Sequence, residues 1–361
     1  MGILYFLPFL VLLIGFFFWH NTYKINFWEW MGSFVATLAV VGIIHLTYFS
    51  AKGHDFEYIN SYVTHTQYIP QWKSNEQYTT CTKCGKSTCC TTHHYVATHS
   101  ERWKLYTNIK TDYEISKERY EEINNQLGNK IYKKRGRRPN YRSGDKNDYW
   151  VDNITNVIVP ITDTHSWINK IKMSKNNYNY IDIPKSVNVP NYPKHTSIFK
   201  SNKLIGIANK HFDNLYLDKV NAVLGSIKKV NLIIVGFENE DSMMGEYIES
   251  KWYGGKKNDV VIVYNVNNNF VSWVKVFGWT DSELLKVKIQ SIILNKHINE
   301  LNFSLNDVKN VIINDYKLKN FNDFNYMSMD VSTSFYIISF LIILIIIAFY
   351  YYIMYNNDIY D

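Results

Sequence analysis

Val230-Asn231-Leu232-Ile233-Ile234-Val235-Gly236-Phe237, followed by Trp252-Tyr253-Gly254-Gly255-Lys256-Lys257-Asn258-Asp259-Val260-Val261-Ile262-Val263-Tyr264, decides the fold reading. Each apolar run is of strand length and rich in β-branched residues. Neither alternates with polar positions, which is the pattern of a strand covered on both faces. Before the first run, Ala208, Phe212, Leu215, Tyr216, Val220, Val223 and Leu224 recur at helical spacing, and Gly225 reads as a stop. Between the runs, Asp241-Ser242 caps a short helix to Trp252. After Tyr264, Asn267-Asn268-Asn269 forms a turn and Phe270–Phe277 a third strand. Thr280-Asp281-Ser282-Glu283 then reads as a capping box for a helix to about His297, and Ser304-Leu305-Asn306-Asp307 starts another. The order α-β-α-β-β-α-α predicts an α/β sandwich.

Trp252, Gly254-Gly255-Lys256-Lys257-Asn258-Asp259, Val260–Val263 and Val274–Gly278 follow one another as in the TPM domain family, which this stretch resembles over roughly 200–317. It departs from the family pattern in the order Asn258-Asp259-Val260 and in having Gly278-Trp279 after the third strand. The resemblance implies a helix/sheet sandwich in an exported domain tethered by a terminal membrane helix. Weak acid phosphatase activity is associated with some members. The whole layout is also similar to uncharacterised membrane proteins of large tailed bacteriophages, a likeness that implies no function.

Residues 51–200 carry no long helical period. Short β-favouring runs, Tyr58–Val63, Gln77–Thr80, His94–His99 and Asn156–Val159, predict a smaller β-rich domain with one helix from Ile115-Ser116 to near Gly128. Cys81, Cys84, Cys89 and Cys90 lie within ten residues, with His93, His94 and His99 close behind. Two readings stand. One is a hairpin turning near Gly85–Lys86 that sets Cys81 opposite Cys90 for a disulfide. The other is Zn2+ bound by cysteines with His93 or His94, although adjacent cysteines rarely reach one ion. Lys133, Lys134, Arg135, Arg137, Arg138 and Arg142 form a basic run, read as a solvated loop or as a contact for an anionic surface such as lipid headgroups.

Three stretches lack any Lys, Arg, Asp or Glu: the N-terminus to Lys24, Trp30–Ala51 and Val331–Asn357. They predict an N-terminal transmembrane hairpin (3–19 and 31–49) and a C-terminal transmembrane helix (331–356), with aromatics at their flanks. The soluble segment then comprises a β-rich domain, 51–200, and the α/β domain, 201–328. With 39 Lys and Arg, 32 Asp and Glu and a mean hydropathy of −0.24, the chain is neither wholly disordered nor a polytopic transporter.

For chemistry, Glu238, Asp241, Asp259 and Asp281 fall near strand ends and form a candidate Ca2+ or Mg2+ cluster, the alternative being helix caps and loop solubility. No Gly-x-Ser-x-Gly, P-loop or His-Glu-x-x-His occurs. His211 and His297 fall on predicted helices, where surface or core roles are the ordinary reading. No helix-turn-helix or stacking module accompanies the basic run, which argues against sequence-specific nucleic acid. The sequence thus points to a membrane-anchored interaction or structural protein of the envelope. Its partners would be the lipid bilayer and envelope membrane proteins. A weak metal-dependent phosphohydrolase is the alternative.

Overall fold

The computed structural model describes residues 6, 8–10, 13, 16, 27–85, 87–127, 132–134, 141–144, 149–152, 157–174, 181–195, 197–199, 201–324, 326–327 and 331–356. Contacts divide the chain into two compact units. The first is Met1–Phe56, Ser166–Ile181 and Asn320–Asp361, and the second is Glu57–His165 and Asp182–Lys319. Segments on both sides of residue 200 therefore belong to the second unit.

The elements run α1 (Phe27–Gly53), β1 (His54–Ile69), β2 (Trp72–Cys84), β3 (Ser87–His99), β4 (Arg102–Thr107), β5 (Asp112–Ile115) and α2 (Lys117–Gln126). Next come β6 (Tyr132–Lys134), β7 (Tyr141–Gly144), β8 (Tyr149–Asp152), β9 (Pro160–Ile168) and α3 (Lys170–Met173). The later part holds β10 (Leu204–Gly206), α4 (Ala208–His211), α5 (Asn214–Lys228), β11 (Asn231–Glu238), α6 (Met243–Lys251), β12 (Asp259–Asn267) and β13 (Phe270–Phe277). It ends with α7 (Glu283–Ile293), α8 (Leu301–Asp315) and α9 (Thr333–Asn356). The chain is thus a mixed helix and sheet protein, as its apolar patterning predicts.

In the first unit, α1 and α9 pack side by side. Tyr48 meets Phe335 with ring centroids 3.8 Å apart, and Val41 and Ile343 share one buried cluster. A Cβ on Gly32 would lie 3.0 Å from the Tyr350 hydroxyl. Numbers rise along one helix as they fall along the other, so the pair is antiparallel. Its seam holds the small buried Ser33, Thr37 and Ser339, and Thr37 Oγ1 donates to the Ser33 carbonyl at 2.7 Å. Both helices contain windows long and apolar enough to cross a membrane, Met31–Gly53 and Thr333–Tyr350, with mean hydropathies of 1.8 and 2.5. Among the described residues there are two such helices, not three, and most of the expected span 3–19 lies outside them.

In the second unit, the β-rich part forms a sheet of order β5-β4-β1-β8-β6, with β9 also pairing β1, and α2 packs Ile123 against Val63 and Leu105. Asn156–Val159 does not form the expected strand. Asn156 lies outside the described residues, and regular pairing begins only at Pro160. The α/β part has sheet order β10-β11-β12-β13, the first three strands parallel and the last antiparallel. α5, α7 and α8 cover one face through Leu232, Ile234, Val260 and Ile262. α6 covers the other through Ile233, Val235, Val261 and Val263. Both parallel crossovers step the same way across the sheet while α5 and α6 lie on opposite faces. They are therefore of opposite hand, and one departs from the usual right-handed rule.

Helix limits differ from the sequence reading in instructive ways. The first helix breaks at Phe212 and restarts with Asp213 as N-cap, whose side chain accepts from Leu215 N. It runs through Gly225 to Lys228 and ends on left-handed Lys229. Gly225 is thus not a stop. A Cβ there would lie 2.1 Å from the Asn60 carbonyl oxygen, so the glycine lets α5 touch β1. The following cap is Ser282, whose side chain accepts from Leu285 N, and that helix ends at Ile293 instead of His297.

Asn60 on β1 is 1% exposed and ties the two parts together. Its Nδ2 donates to Asn231 Oδ1 at 3.1 Å and the Val230 carbonyl at 3.3 Å, and its Oδ1 accepts from Thr162 at 2.8 Å. Replacing Asn60 by Ala leaves these buried groups unpaired. The expected loss is about 2–4 kcal/mol of unfolding free energy, read by chemical denaturation. A loss below about 0.5 kcal/mol would show the network to be dispensable.

Candidate functional site

Alternation places the cysteines. β2 and β3 pair antiparallel with Cys81 directly opposite Cys90 and Thr82 opposite Cys89. Successive strand residues face opposite sides. Cys81 and Cys90 therefore share one face, while Cys84 and its diagonal neighbour Cys89 share the other. Both pairs are at disulfide distance, with Cα separations of 4.1 and 5.7 Å. Four sulfurs split between two faces do not surround one ion. His93 and His94 follow on alternate faces, opposite Tyr78 and Gln77. Among the described residues, no three His, Cys, Asp or Glu stand close enough to hold a metal ion.

The ribbon itself is unusual. β7 supports β2 only at Trp72–Ser74, and residues 77–84 and 87–96 are exposed at every position. The two strands run on alone for about 33 Å at 3.3 Å per residue. An isolated two-stranded ribbon is marginal in water. In the chain-entropy account, closing loops this short stabilises by about 2–3 kcal/mol per bridge. The cross-links thus supply the order that a core supplies elsewhere.

At the ribbon base, Ser74 Oγ donates to Glu76 Oε1 at 2.9 Å and lies 2.7 Å from His99 Nε2. The Tyr95 hydroxyl donates to Glu76 Oε2 at 2.9 Å, and His99 stacks on Trp72 at 4.0 Å. Hydrogen bonds from Ser74 and Tyr95 hold the Glu76 carboxyl below its usual range. The trio resembles a hydrolase triad only in composition. Glu76 meets His99 at Nε2, 3.3 Å away, the same nitrogen that faces Ser74. A relay needs the carboxylate on the opposite ring nitrogen.

The four candidate carboxylates do not converge. β11 and β12 are parallel with Asn231 level with Asp259 and Glu238 level with Val266. Glu238 and Asp241 therefore lie at one end of the sheet, and Asp259 at the other. Asp281 follows antiparallel β13, near the Asp259 end, where its backbone N donates to the Lys317 carbonyl at 3.0 Å. Asp241 caps the start of α6, its Oδ1 accepting from Met243 N at 2.7 Å. Asp259 is fully buried and structural. Its Oδ1 accepts from Asn231 Nδ2 at 2.8 Å, and its Oδ2 from the Tyr192 hydroxyl at 2.8 Å and Lys256 N at 2.7 Å. Burial raises its pKa, opposed by those three donors. Asn258 binds the Tyr58 carbonyl at 2.7 Å and the Lys229 carbonyl at 2.9 Å. The Gly-Gly-Lys-Lys-Asn-Asp loop is therefore a knot joining strand ends to β1.

At the carboxyl ends of the parallel strands, His211 Nδ1 lies 2.8 Å from the Tyr264 hydroxyl. Burial raises the tyrosine and lowers the histidine, so both are neutral near pH 7. Cβ atoms on Gly206 and Gly236 would come within 2.3 Å of the Gly236 carbonyl oxygen and 2.7 Å of the Tyr264 hydroxyl, so backbone and side chain fill that corner. A groove of about 500 Å3 runs along β13 between α6 and α7. Its charges satisfy one another: Lys275 meets Glu246 and Glu249 at 2.6 and 2.7 Å, and Lys286 meets Glu283 at 2.8 Å. Of the basic run, Lys133 and Lys134 lie on β6 and Arg142 on β7, while Arg135, Arg137 and Arg138 fall outside the described residues.

Sequence reasoning missed the Glu76–Tyr95–His99 cluster. The register implied by pairing Cys81 with Cys90 already sets Glu76 opposite Tyr95 and Trp72 opposite His99. Comparison with family models, with curated proteins and with solved structures finds no match to this chain.

Two outcomes are expected. Reduction should speed tryptic cleavage at exposed Lys83 in the ribbon while the rest of the second unit stays resistant, read by mass spectrometry of the fragments. Equal cleavage with and without reductant would show that the cross-links do not order the ribbon. The Asp259 pKa is raised above its ordinary value of 3.8. Its contribution to stability is therefore full below that value and is lost as pH rises through the raised one. As pH rises from 3.8 through the raised value, the unfolding midpoint of the wild type should fall relative to that of Asp259→Asn. Parallel curves would refute the assignment.

Proposed function

We propose that this chain is a membrane-anchored interaction protein of the cell envelope that holds its second unit outside the cytoplasm. The observation that carries the reading is the antiparallel pairing of α1 and α9. If both cross a bilayer, residues 54–332 lie together on one side of it, and the folded part is held at both ends. The paired cysteines support an oxidising compartment, because exposed disulfides do not persist in a reducing cytosol. The stapled ribbon supports a binding role, since its faces cover no core of the protein. The helix-covered four-stranded sheet is compatible with the TPM resemblance. On that resemblance the α/β part serves as the platform of an exported module. The phosphohydrolase alternative has no support from the placement of Glu238, Asp241, Asp259 and Asp281.

The test is thiol labelling of intact cells with a membrane-impermeant maleimide, with and without reductant. Labelling that requires reductant and not lysis is the expected result. Labelling that requires lysis and no reductant would place the cysteines in the cytoplasm as thiols and overturn the proposed orientation.

A further inference from the structure

We propose that the first unit carries a binding site for anionic phospholipid headgroups, at the end where α1 finishes and α9 begins; this rests on the membrane reading above. The Tyr48–Phe335 contact marks that end, five residues before Gly53 and two after Thr333. Segment 167–173 is pinned there. Asn169 N donates to the Gly53 carbonyl at 2.8 Å, Lys172 Nζ to the His54 carbonyl at 2.8 Å, and Asn169 Nδ2 to Asp55 Oδ2 at 2.8 Å. Met173 closes over Gly53 so tightly that a Cβ there would lie 2.7 Å from its sulfur. Trp167 in turn meets Phe321 edge-on at 4.9 Å, and Phe321 meets Phe324 at 5.6 Å.

This arrangement gathers aromatic and basic side chains at the mouth of an apolar helix pair. Tyr326 is 77% exposed and Lys52 is exposed, while Trp167, Lys170 and Lys172 are half-buried. Within the first unit, two carboxylates stand at this end among the described residues: Asp55, buried and bonded to Asn169, and the exposed Asp323; Glu57, two residues beyond Asp55 and assigned to the second unit, lies 3.0 Å from His165 Nδ1. Cations are thus in excess where headgroup phosphates would lie. Aromatic rings prefer the interface, and lysines beside it draw anionic lipid. The aromatic girdle favours a lipid over a free phosphate, because rings at that depth contribute nothing to holding a soluble ion.

The test places the full chain in nanodiscs of phosphatidylcholine alone or with a minority of phosphatidylglycerol. Native mass spectrometry then counts the lipids that stay bound. Wild type is expected to retain phosphatidylglycerol above its bulk ratio, and to lose that preference in about 0.5 M salt. The double variant Lys52→Gln/Lys170→Gln, which spares the Lys172 bond to His54, should hold it about thirtyfold more weakly. Unchanged retention in a variant whose circular dichroism matches wild type would overturn the proposal. Insertion without any preference for the anionic lipid would overturn this proposal alone. Failure to enter nanodiscs would overturn the membrane reading and the proposal together.

Discussion

A buried polar chain holds the second unit in register. It runs from Asp218 and Lys203 through Thr162 to Asn60, then through Asn231 to Asp259 and Tyr192. Lys203 is 1% exposed and Asp259 fully buried, so a missing partner would leave a charge or donor stranded in low dielectric. Such a network tolerates little sliding of β1 against β11 and α5. The apolar contacts around it are less directional and fix the spacing more than the register. Gly225 completes the constraint by letting the helix backbone approach the Asn60 carbonyl.

That constraint explains why the motif most visible in the sequence turns out to be architectural. Asn258 and Asp259 face inward to β1, β11 and Tyr192: the Asn258 amide donates to two backbone carbonyls and Asp259 accepts from three donors, while Asn258 Oδ1 is buried without a hydrogen-bond partner. A carboxylate committed to three protein donors has little left for a cation. The exposed surface lies elsewhere, above all on the ribbon, where cross-links stand in for burial.

The first unit follows a different rule. Its two long helices present large apolar side chains such as Val35, Ile43, Leu341 and Ile345 outward and keep small polar ones at their seam. This inverts the usual soluble pattern. It is the arrangement expected where lipid, not water, surrounds the helices, because packing rather than hydrophobic exclusion then drives their association.

Elements whose signal is local were legible in the chain before folding. Leu232–Val235 and Val260–Val263 are continuously apolar because both faces are covered, and a strand so covered can be read without knowing what covers it. The disulfide reading of the cysteines set the hairpin register through Cys81, Gly85 and Cys90, with zinc as the alternative, and the two apolar helices followed from their length and lack of charge. Other features depend on partners distant in the chain and emerge only once it is folded. Gly225 read as a helix stop because its reason, the Asn60 carbonyl, lies 165 residues away. Glu238, Asp241, Asp259 and Asp281 read as a cluster because strand ends look alike until direction and order are known. The parallel register of β11 and β12 sends them to opposite ends of the sheet. Periodicity reports which face of an element is buried, but not what it is buried against.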